Sequence, residues 1–251
     1  MPSFLVVGGS RGIGLALVEE LLKDPDNFVI TTARDLSQSP GLRALTSKYP
    51  KDRLVVLVLD LAHRETVERA GEEATTLLPN GLDCLIHNSA INLRPVGPFE
   101  EMDLDQLEEE LRINTIAPIH ALRTFLPLIR KSKAQDRKII FMSSGLASIE
   151  NGFFWAGLSE GYSVSKAGLN MVVRKWGAAL KQEGIATFAL QPGYVDTDMG
   201  QGLSSWIQEH AAWVPMMSPN DCAAQCLKVV REVKLEDAVA FYSFEGKREP
   251  W

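Results

Sequence analysis

Short apolar runs alternate with longer amphipathic stretches along the chain. The apolar runs predict strands at residues 4–8, 28–33, 54–59, 84–88, 138–143, 186–191 and 238–242. The amphipathic stretches predict helices at residues 12–23, 42–49, 65–78, 104–130, around residue 162, and 221–233. Strands that are apolar on both faces and alternate with helices are typical of a parallel sheet covered on both sides. The pattern therefore predicts a doubly wound α/β fold on a mainly seven-stranded parallel sheet.

Glycine and polar residues follow several of the predicted strands. Gly8, Asn88, Ser144 and the Gln-Pro-Gly segment at 191–193 each come just after a strand. In a doubly wound sheet, ligands bind beyond the carboxyl ends of the strands, where the winding reverses. We expect these residues to line one shared cleft.

Size and charge narrow the class of protein. The 251 residues are 45% hydrophobic and contain no linker-like or repeated segment, so we expect one domain spanning residues 1–251. A formal charge of -6 leaves no broad basic surface for nucleic acid. The longest apolar runs are strand-sized, far short of a membrane span. Neither nucleic acid nor a membrane is an expected partner.

The first apolar run leads straight into a glycine-rich loop, so a cleavable signal would remove part of the fold. Cys84, Cys222 and Cys226 form an odd set that fits reduced thiols. Together these features predict a cytoplasmic protein. The four histidines are scattered without ligand-like spacing, so no metal site is expected.

A glycine-rich loop, GGSRGIG at residues 8–14, lies between the first strand and the first helix. Its glycines permit a tight turn and bring the backbone close to a pyrophosphate at the helix N-terminus. A turn that only shortens the connection does not account for glycine at positions 8, 12 and 14 together with Ser10 and Arg11. This setting predicts a Rossmann-type dinucleotide site. The expected contacts are Gly8, Ser10, Arg11, Gly12, Ile13 and Gly14.

The end of the second predicted strand bears on which dinucleotide is bound. About 20 residues after the last glycine, an NAD-binding protein places an acid on the ribose 2′-hydroxyl. Here Ala33 is followed by Arg34, whose guanidinium suits a 2′-phosphate that Arg11 could approach from the other side. NADP(H) is therefore the predicted cofactor. If the strand ends one or two positions later, Asp35 could serve as the acid and favour NAD; otherwise it is a solvated loop residue or a cap.

Asp60, at the end of the third predicted strand, has two interpretations. It could accept a hydrogen bond from an adenine amino group. Alternatively, it could cap the helix that begins near residue 64.

Tyr162 and Lys166 are four residues apart on a predicted helix, so they share one face. A phenol has a pKa of about 10, and a neighbouring ammonium lowers that pKa. Such a spacing also arises by chance on many helices. However, small and apolar residues follow at 167–169, so this helix packs closely, and a buried lysine requires a reason. Tyr162 is therefore a candidate general acid/base.

With these features, the chain resembles the short-chain dehydrogenase/reductase family along essentially its whole length. The landmarks occur in order: GGSRGIG at 8–14, HNSA at 87–90, Asn114 in RINTIAP, MSSG at 142–145, YSVSK at 162–166 and QPGYVDT at 191–197. The TTARD run that ends at Asp35 resembles NADPH-dependent carbonyl reductases of the family.

The resemblance implies a catalytic tetrad of Asn114, Ser144, Tyr162 and Lys166. Tyr162 would protonate the carbonyl oxygen and Ser144 would hold that oxygen. Lys166 would bind the nicotinamide ribose and lower the phenol pKa, and Asn114 would hold a water that connects Lys166 to solvent. The further implied cofactor contacts are Asn88 and Ser89 at the adenosine ribose, and Pro192, Gly193, Val195 and Thr197 around the nicotinamide and phosphates.

Three positions depart from the family pattern. The family's Asn-Asn-Ala-Gly appears here as His87-Asn88-Ser89-Ala90, so Ala90 replaces the last glycine. Val7 replaces a threonine whose hydroxyl would contact the next strand. Ser144 lies 18 residues before Tyr162, so residues 149–160 must loop out, and we expect that loop to shape the substrate pocket. Ser143 is the alternative catalytic hydroxyl.

Aromatic and sulfur-containing side chains surround the expected pocket, and they would give an apolar entrance suited to lipophilic or aromatic carbonyl compounds. They are Phe153, Phe154, Trp155, Met199, Trp206, Trp213, Met216 and Met217. Each could equally cover the core or a subunit interface.

The predicted function is NADPH-dependent reduction of a carbonyl to an alcohol, or the reverse. The alternatives are a non-redox lyase or cyclase on the same fold, and an NADPH-binding regulatory protein. By resemblance, the long helix from Leu104 and the small-residue face of the Tyr162 helix would form a homodimer or homotetramer.

Overall fold

The computed structural model describes residues 1–251, whose strands form one seven-stranded parallel sheet. The strands are β1 (Ser3–Val7), β2 (Phe28–Ala33), β3 (Leu54–Val58), β4 (Cys84–His87), β5 (Arg137–Met142), β6 (Ile185–Gln191) and β7 (Phe241–Ser243). They lie in the order β3-β2-β1-β4-β5-β6-β7, so the winding reverses between β1 and β4. This arrangement confirms the predicted doubly wound sheet.

Helices cover both faces of the sheet. They are α1 (Gly12–Leu22), α2 (Pro40–Lys48), α3 (Arg64–Leu77), α4 (Leu104–Leu111), α5 (Ala117–Lys131), α6 (Glu160–Gln182), α7 (Asp198–Gln201), α8 (Ser204–His210) and α9 (Pro219–Glu232). Side chains of α1, α2 and α9 join one buried apolar cluster, and those of α3, α5 and α6 join a second on the opposite face. No helix is both long and apolar enough to cross a membrane.

The long helix predicted at residues 104–130 contains one widened turn. A π-helical segment, Arg112–Ile116, separates α4 from α5, and the amide of Ala117 bonds the carbonyl of Arg112. Such a turn accommodates one extra residue without breaking the helix, and it often occurs at functional sites. Apolar periodicity cannot reveal it, because the flanking turns keep the same pattern.

The last strand is shorter and later than the predicted 238–242. Val239 has a φ of 65°, outside the extended region, and its amide still donates to the carbonyl of Thr187. The pairing with β6 therefore begins only at Phe241. The short helices α7 and α8 were also absent from the sequence prediction.

Candidate active site

Tyr162 and Lys166 lie on one face of α6, as their spacing predicts. Tyr162 is 7% exposed and Lys166 is 1% exposed. Lys166 Nζ lies 5.9 Å from the centroid of the Tyr162 ring and donates a 2.7 Å hydrogen bond to the carbonyl oxygen of Met142, the last residue of β5. The lysine therefore joins α6 to the carboxyl end of the sheet.

The electrostatics of this pair differ from the expectation. Burial lowers the pKa of Lys166 to about 7. Burial also raises the pKa of Tyr162 well above its ordinary value; the hydroxyl of Ser144 partly offsets this, and the carboxyl of Glu110 adds to it. The expected lowering of the phenol pKa by Lys166 is therefore wrong for this structure, because desolvation dominates and the ammonium points at a backbone carbonyl.

The two serines after β5 have different surroundings. Ser143 is buried, and its hydroxyl donates a 2.7 Å hydrogen bond to Oδ1 of Asn170 on α6. Ser144 is half-buried, and its Oγ accepts a 3.2 Å hydrogen bond from the amide of Leu146. The Ser144 hydroxyl also lowers the pKa of the Tyr162 phenol. The structure thus brings Ser144 to the tyrosine and commits Ser143 elsewhere.

Asn114 is fully buried in the π-helical segment. Its Oδ1 accepts from the amide of Ile91 at 2.9 Å, and its Nδ2 donates to the carbonyl of Ile91 at 2.8 Å and to Oγ of Ser165 at 3.0 Å. Both donor hydrogens are occupied. The side chain therefore ties the segment after β4 to α6, and it has no donor left for the expected water.

The glycine loop folds tightly against the segment after β4. A Cβ on Gly14 would lie 1.8 Å from the carbonyl oxygen of Gly8, and one on Gly8 would lie 2.1 Å from Oγ of Ser89. Nδ2 of Asn88 donates to the Gly8 carbonyl at 3.0 Å. Asn88 and Ser89 therefore pack against the glycine loop and stabilise it. Only residues without a side chain at positions 8 and 14 permit this approach.

The hydroxyl that Val7 cannot supply comes from another strand. Thr32 on β2 accepts from the amide of Gly8 through Oγ1 at 2.9 Å, and Thr31 donates to the carbonyl of Val6 at 2.9 Å. Two threonines of β2 thus hold the end of β1, which compensates for this departure from the family pattern.

The first turn of α1 fits a pyrophosphate. Gly12 begins the helix with a φ of 55°, Arg11 precedes it in an extended conformation, and no side chain caps the turn or adds an acid to it. Ser10, Ile13 and their neighbours therefore present backbone amides that suit an anion at the positive end of the helix.

Of the two arginines predicted to bind a 2′-phosphate, only Arg34 is free of an ion pair. Arg34 is exposed just after β2 and takes part in no ion pair. Asp35 accepts a 2.8 Å bond from the amide of Ser37 and caps the following short turn, so the cap interpretation is the one observed. Arg11 instead pairs with Asp198, the first residue of α7. That pair crosses between two loops that are distant in sequence, so spacing could not indicate it.

Asp60 stabilises the turn before α3. Its Oδ1 accepts from the amide of Ala62 at 3.0 Å, whereas α3 starts at Arg64, after His63, without a side-chain cap. Asp60 therefore does not cap the helix itself. Its second carboxylate oxygen makes no hydrogen bond within the protein.

The segment after β6 closes the cleft opposite the glycine loop. Gly193 has a φ of 83°, and its amide donates to Oε1 of Gln191 at 2.8 Å. Val195 is buried, and Thr197 caps α7 by accepting from the amide of Gly200 at 3.1 Å. A Cβ on Gly12 would lie 3.1 Å from Cγ2 of Thr197, so the two loops are in close contact. The Pro192 carbonyl accepts from the Cys222 thiol.

The 149–160 loop and α8 pack together beside this cleft. Leu158, Trp206, Ile207 and Ala211 form a small buried cluster, and Trp155 lies 6.0 Å from Trp206 between ring centroids. Trp206 is therefore part of a core, the second of the two interpretations that the sequence leaves open. Phe153, Phe154 and Trp213 remain exposed by 73%, 63% and 78%.

Sequence reasoning missed several residues of the site: Thr32, Glu110, Ser165, Asn170 and the buried His87. Glu110 on α4 is 3% exposed, its Oε1 accepts from the amide of Leu93 at 2.7 Å, and burial raises its pKa. Its place three residues after Leu107, on the apolar side of an amphipathic helix, was the available signal. For His87 it was a single imidazole in an otherwise apolar strand.

The chain resembles known proteins in sequence and in structure. The sequence profile described as short chain dehydrogenase matches residues 3–208. A short-chain dehydrogenase/reductase named AacuF from Aspergillus aculeatus is 34% identical, covering 88% of this chain and 85% of its own length. An uncharacterised oxidoreductase of Schizosaccharomyces pombe is 30% identical over 99% of this chain and 97% of its own.

Among solved structures, an NADPH-bound carbonyl reductase from chicken fatty liver superimposes with a TM-score of 0.88 at 30% identity, covering 100% of this chain and 99% of the other. The fold, the sequence match over most of the chain and the ordered motifs at the strand ends agree. The chain belongs to the short-chain dehydrogenase family.

Proposed function

We propose that the chain, acting as one catalytic domain over residues 1–251, reduces a carbonyl compound to an alcohol with NADPH. The observation that carries this proposal is the buried Tyr162 and Lys166 on α6, with Ser144 beside the phenol and the glycine loop across the same sheet edge. The NADPH bound in the chicken carbonyl reductase supports the same assignment.

The residues of the site have distinct roles in this reaction. Bound at the glycine loop, NADPH would supply hydride to the carbonyl carbon. Ser144 positions the carbonyl oxygen by donating a hydrogen bond to it. Tyr162 donates a proton to that oxygen, and its raised pKa keeps the phenol protonated at neutral pH, as a donor requires. Lys166 holds the nicotinamide ribose.

The other expected contacts divide between two parts of the cofactor. Asn88, Ser89 and Asp60 would contact its adenosine part, and Pro192, Gly193, Val195 and Thr197 would flank its nicotinamide and phosphates. NADP(H) is favoured over NAD(H), because Arg34 is a free guanidinium at the end of β2, whereas Asp35 is engaged as a cap.

The substrate is a lipophilic or aromatic carbonyl compound. Phe153 and Phe154 lie against each other on the loop before α6, with 3.8 Å between ring centroids and 36° between ring planes. Trp213 and Met216 are exposed on the segment after α8. These side chains provide an apolar rim that would contact a flat or lipophilic substrate.

We also propose that the protein assembles as a homodimer or homotetramer and works in the cytoplasm. Leu104, Ile116, Val164 and Met171 are at least half exposed on α4, the π-helical segment and α6. Exposed apolar groups on adjacent helices suit a subunit interface. All three cysteines are free and buried, which fits a reducing compartment.

The test is the loss of NADPH absorbance with a panel of aromatic ketones and quinones. Wild-type protein should turn over at least one of them, and Tyr162→Phe should lose about 10²–10⁴-fold in kcat while binding NADPH normally. A protein that binds NADPH but reduces no carbonyl compound contradicts the proposal, and would direct attention to the regulatory alternative.

A further inference from the structure

His87 is a buried imidazole that the proposed reaction does not use. It is the last residue of β4, is 1% exposed, and stacks on Phe141 of β5 with 6.0 Å between ring centroids and 28° between planes. Neither Nδ1 nor Nε2 has a hydrogen-bond partner in the protein. Buried polar atoms are normally paired, so an unpaired imidazole in a dry sheet calls for a specific explanation.

His87 lies beside the anchor of Lys166. In the sheet register His87 is level with Phe141, and the next residue, Met142, carries the carbonyl that accepts from Lys166 Nζ. Burial, together with the nearby charge of Lys166, lowers the pKa of His87 to about 3. The imidazole is therefore neutral at any working pH, and a neutral imidazole offers one acceptor nitrogen.

Few other polar groups face Lys166. Tyr162, on the same helix, is neutral because burial raises its pKa, and the carboxyl of Glu110 on α4 raises that pKa too. From β5, the Met142 carbonyl accepts a hydrogen bond from Lys166. Burial alone is what lowers the pKa of Lys166, since no carboxylate compensates it. An acceptor from β4 is therefore well placed to stabilise the charged amine.

We propose that His87 is a positioning residue for Lys166, accepting a hydrogen bond through one buried water that the ammonium in turn donates to. The inference rests on the proposed reductase function and deepens it by assigning a group that keeps the amine charged beneath the tyrosine. Buried waters typically satisfy such otherwise unpaired polar atoms.

Two variants separate this role from a packing role. His87→Asn retains an acceptor and is the residue of the family pattern, whereas His87→Leu has a similar volume to histidine and no acceptor. Without the acceptor the charged form of Lys166 is less stable, so the pKa of that lysine falls further. The alkaline limb of the kcat profile should move to lower pH by about one unit in His87→Leu, and should stay in place in His87→Asn. The KM for the carbonyl compound should change in neither.

A direct measurement does not depend on turnover. In protein with ¹³C-labelled lysine side chains, the Lys166 Cε signal, assigned by its absence in Lys166→Met, reports the titration of the amine by NMR. It should titrate at lower pH in His87→Leu than in wild type and His87→Asn. An unchanged titration in folded, NADPH-binding His87→Leu overturns the proposal.

If His87→Leu does not fold, the wild-type imidazole decides the question. Its ¹⁵N shifts should show a neutral ring with one hydrogen-bonded acceptor nitrogen, and that shift should change in Lys166→Met. If neither ¹⁵N shift of His87 changes in Lys166→Met, His87 does not position Lys166. Failure of the proposed function is a separate outcome, because the NMR titrations stand even if no carbonyl compound is reduced.

Discussion

At the scale of single residues, the two neighbouring serines after β5 offer a matched comparison. Ser144→Ala should lower kcat by about tenfold or more, because the donor to the carbonyl oxygen is lost. Ser143→Ala should leave kcat nearly unchanged but destabilise the fold by about 1–2 kcal/mol, because Asn170 loses its buried partner. Steady-state kinetics and urea unfolding measure the two effects. The reverse assignment of losses would make Ser143 the catalytic hydroxyl.

Arg34 decides a second question at this scale. Arg34→Ala should raise the KM for NADPH by about 10- to 100-fold, because a guanidinium bound to a phosphate is a charge-assisted contact. The KM for NADH should hardly change. Arg43→Ala, which removes another exposed guanidinium on α2, is the control. Equal effects on the two nucleotides would show that Arg34 does not contact the 2′-phosphate.

At the scale of elements, the junction between β1 and α1 depends on backbone contact. Gly14→Ala would place a methyl group 1.8 Å from the carbonyl oxygen of Gly8, a rigid backbone atom, so the loop must move. We expect loss of NADPH binding and destabilisation of a few kcal/mol. Gly152→Ala is the matched control, since beyond its chain neighbours no atom lies within 4 Å of the added methyl. Calorimetric titration with NADPH and thermal unfolding report both quantities. Normal binding by Gly14→Ala would contradict the tight loop.

The helices around the active site show how far element prediction reaches. The spacing of Tyr162 and Lys166 could be interpreted correctly because helical geometry is local: residues four apart always share a face. The hydrogen bonds of Asn114 could not be predicted in this way, because its partners Ile91 and Ser165 are 23 and 51 residues away in the sequence. The π-helical segment that aims it leaves no trace in the apolar pattern.

At the scale of the whole molecule, the exposed apolar patch on α4, the π-helical segment and α6 can be tested by light scattering. Wild type should have two or four times the chain mass of 27.7 kDa. Ile116→Glu should give the mass of one chain with unchanged circular dichroism, because a charge in a buried interface is strongly unfavourable. Val58→Glu, at an exposed apolar position on the β3 edge, should leave the mass unchanged. A wild-type mass of one chain would refute the assembly.

The sequence by itself determined the sheet, its winding and the edge that carries the chemistry. Those features follow from the alternation of apolar and polar positions, and the glycine loop needs only its neighbours in the chain to be recognised. Only the tertiary structure separated Ser143 from Ser144, paired Arg11 with Asp198 and left the buried His87 without a hydrogen-bond partner. Each of these depends on contacts between residues far apart in sequence, and the low pKa of His87 depends on its burial. No local pattern encodes those distances or that desolvation.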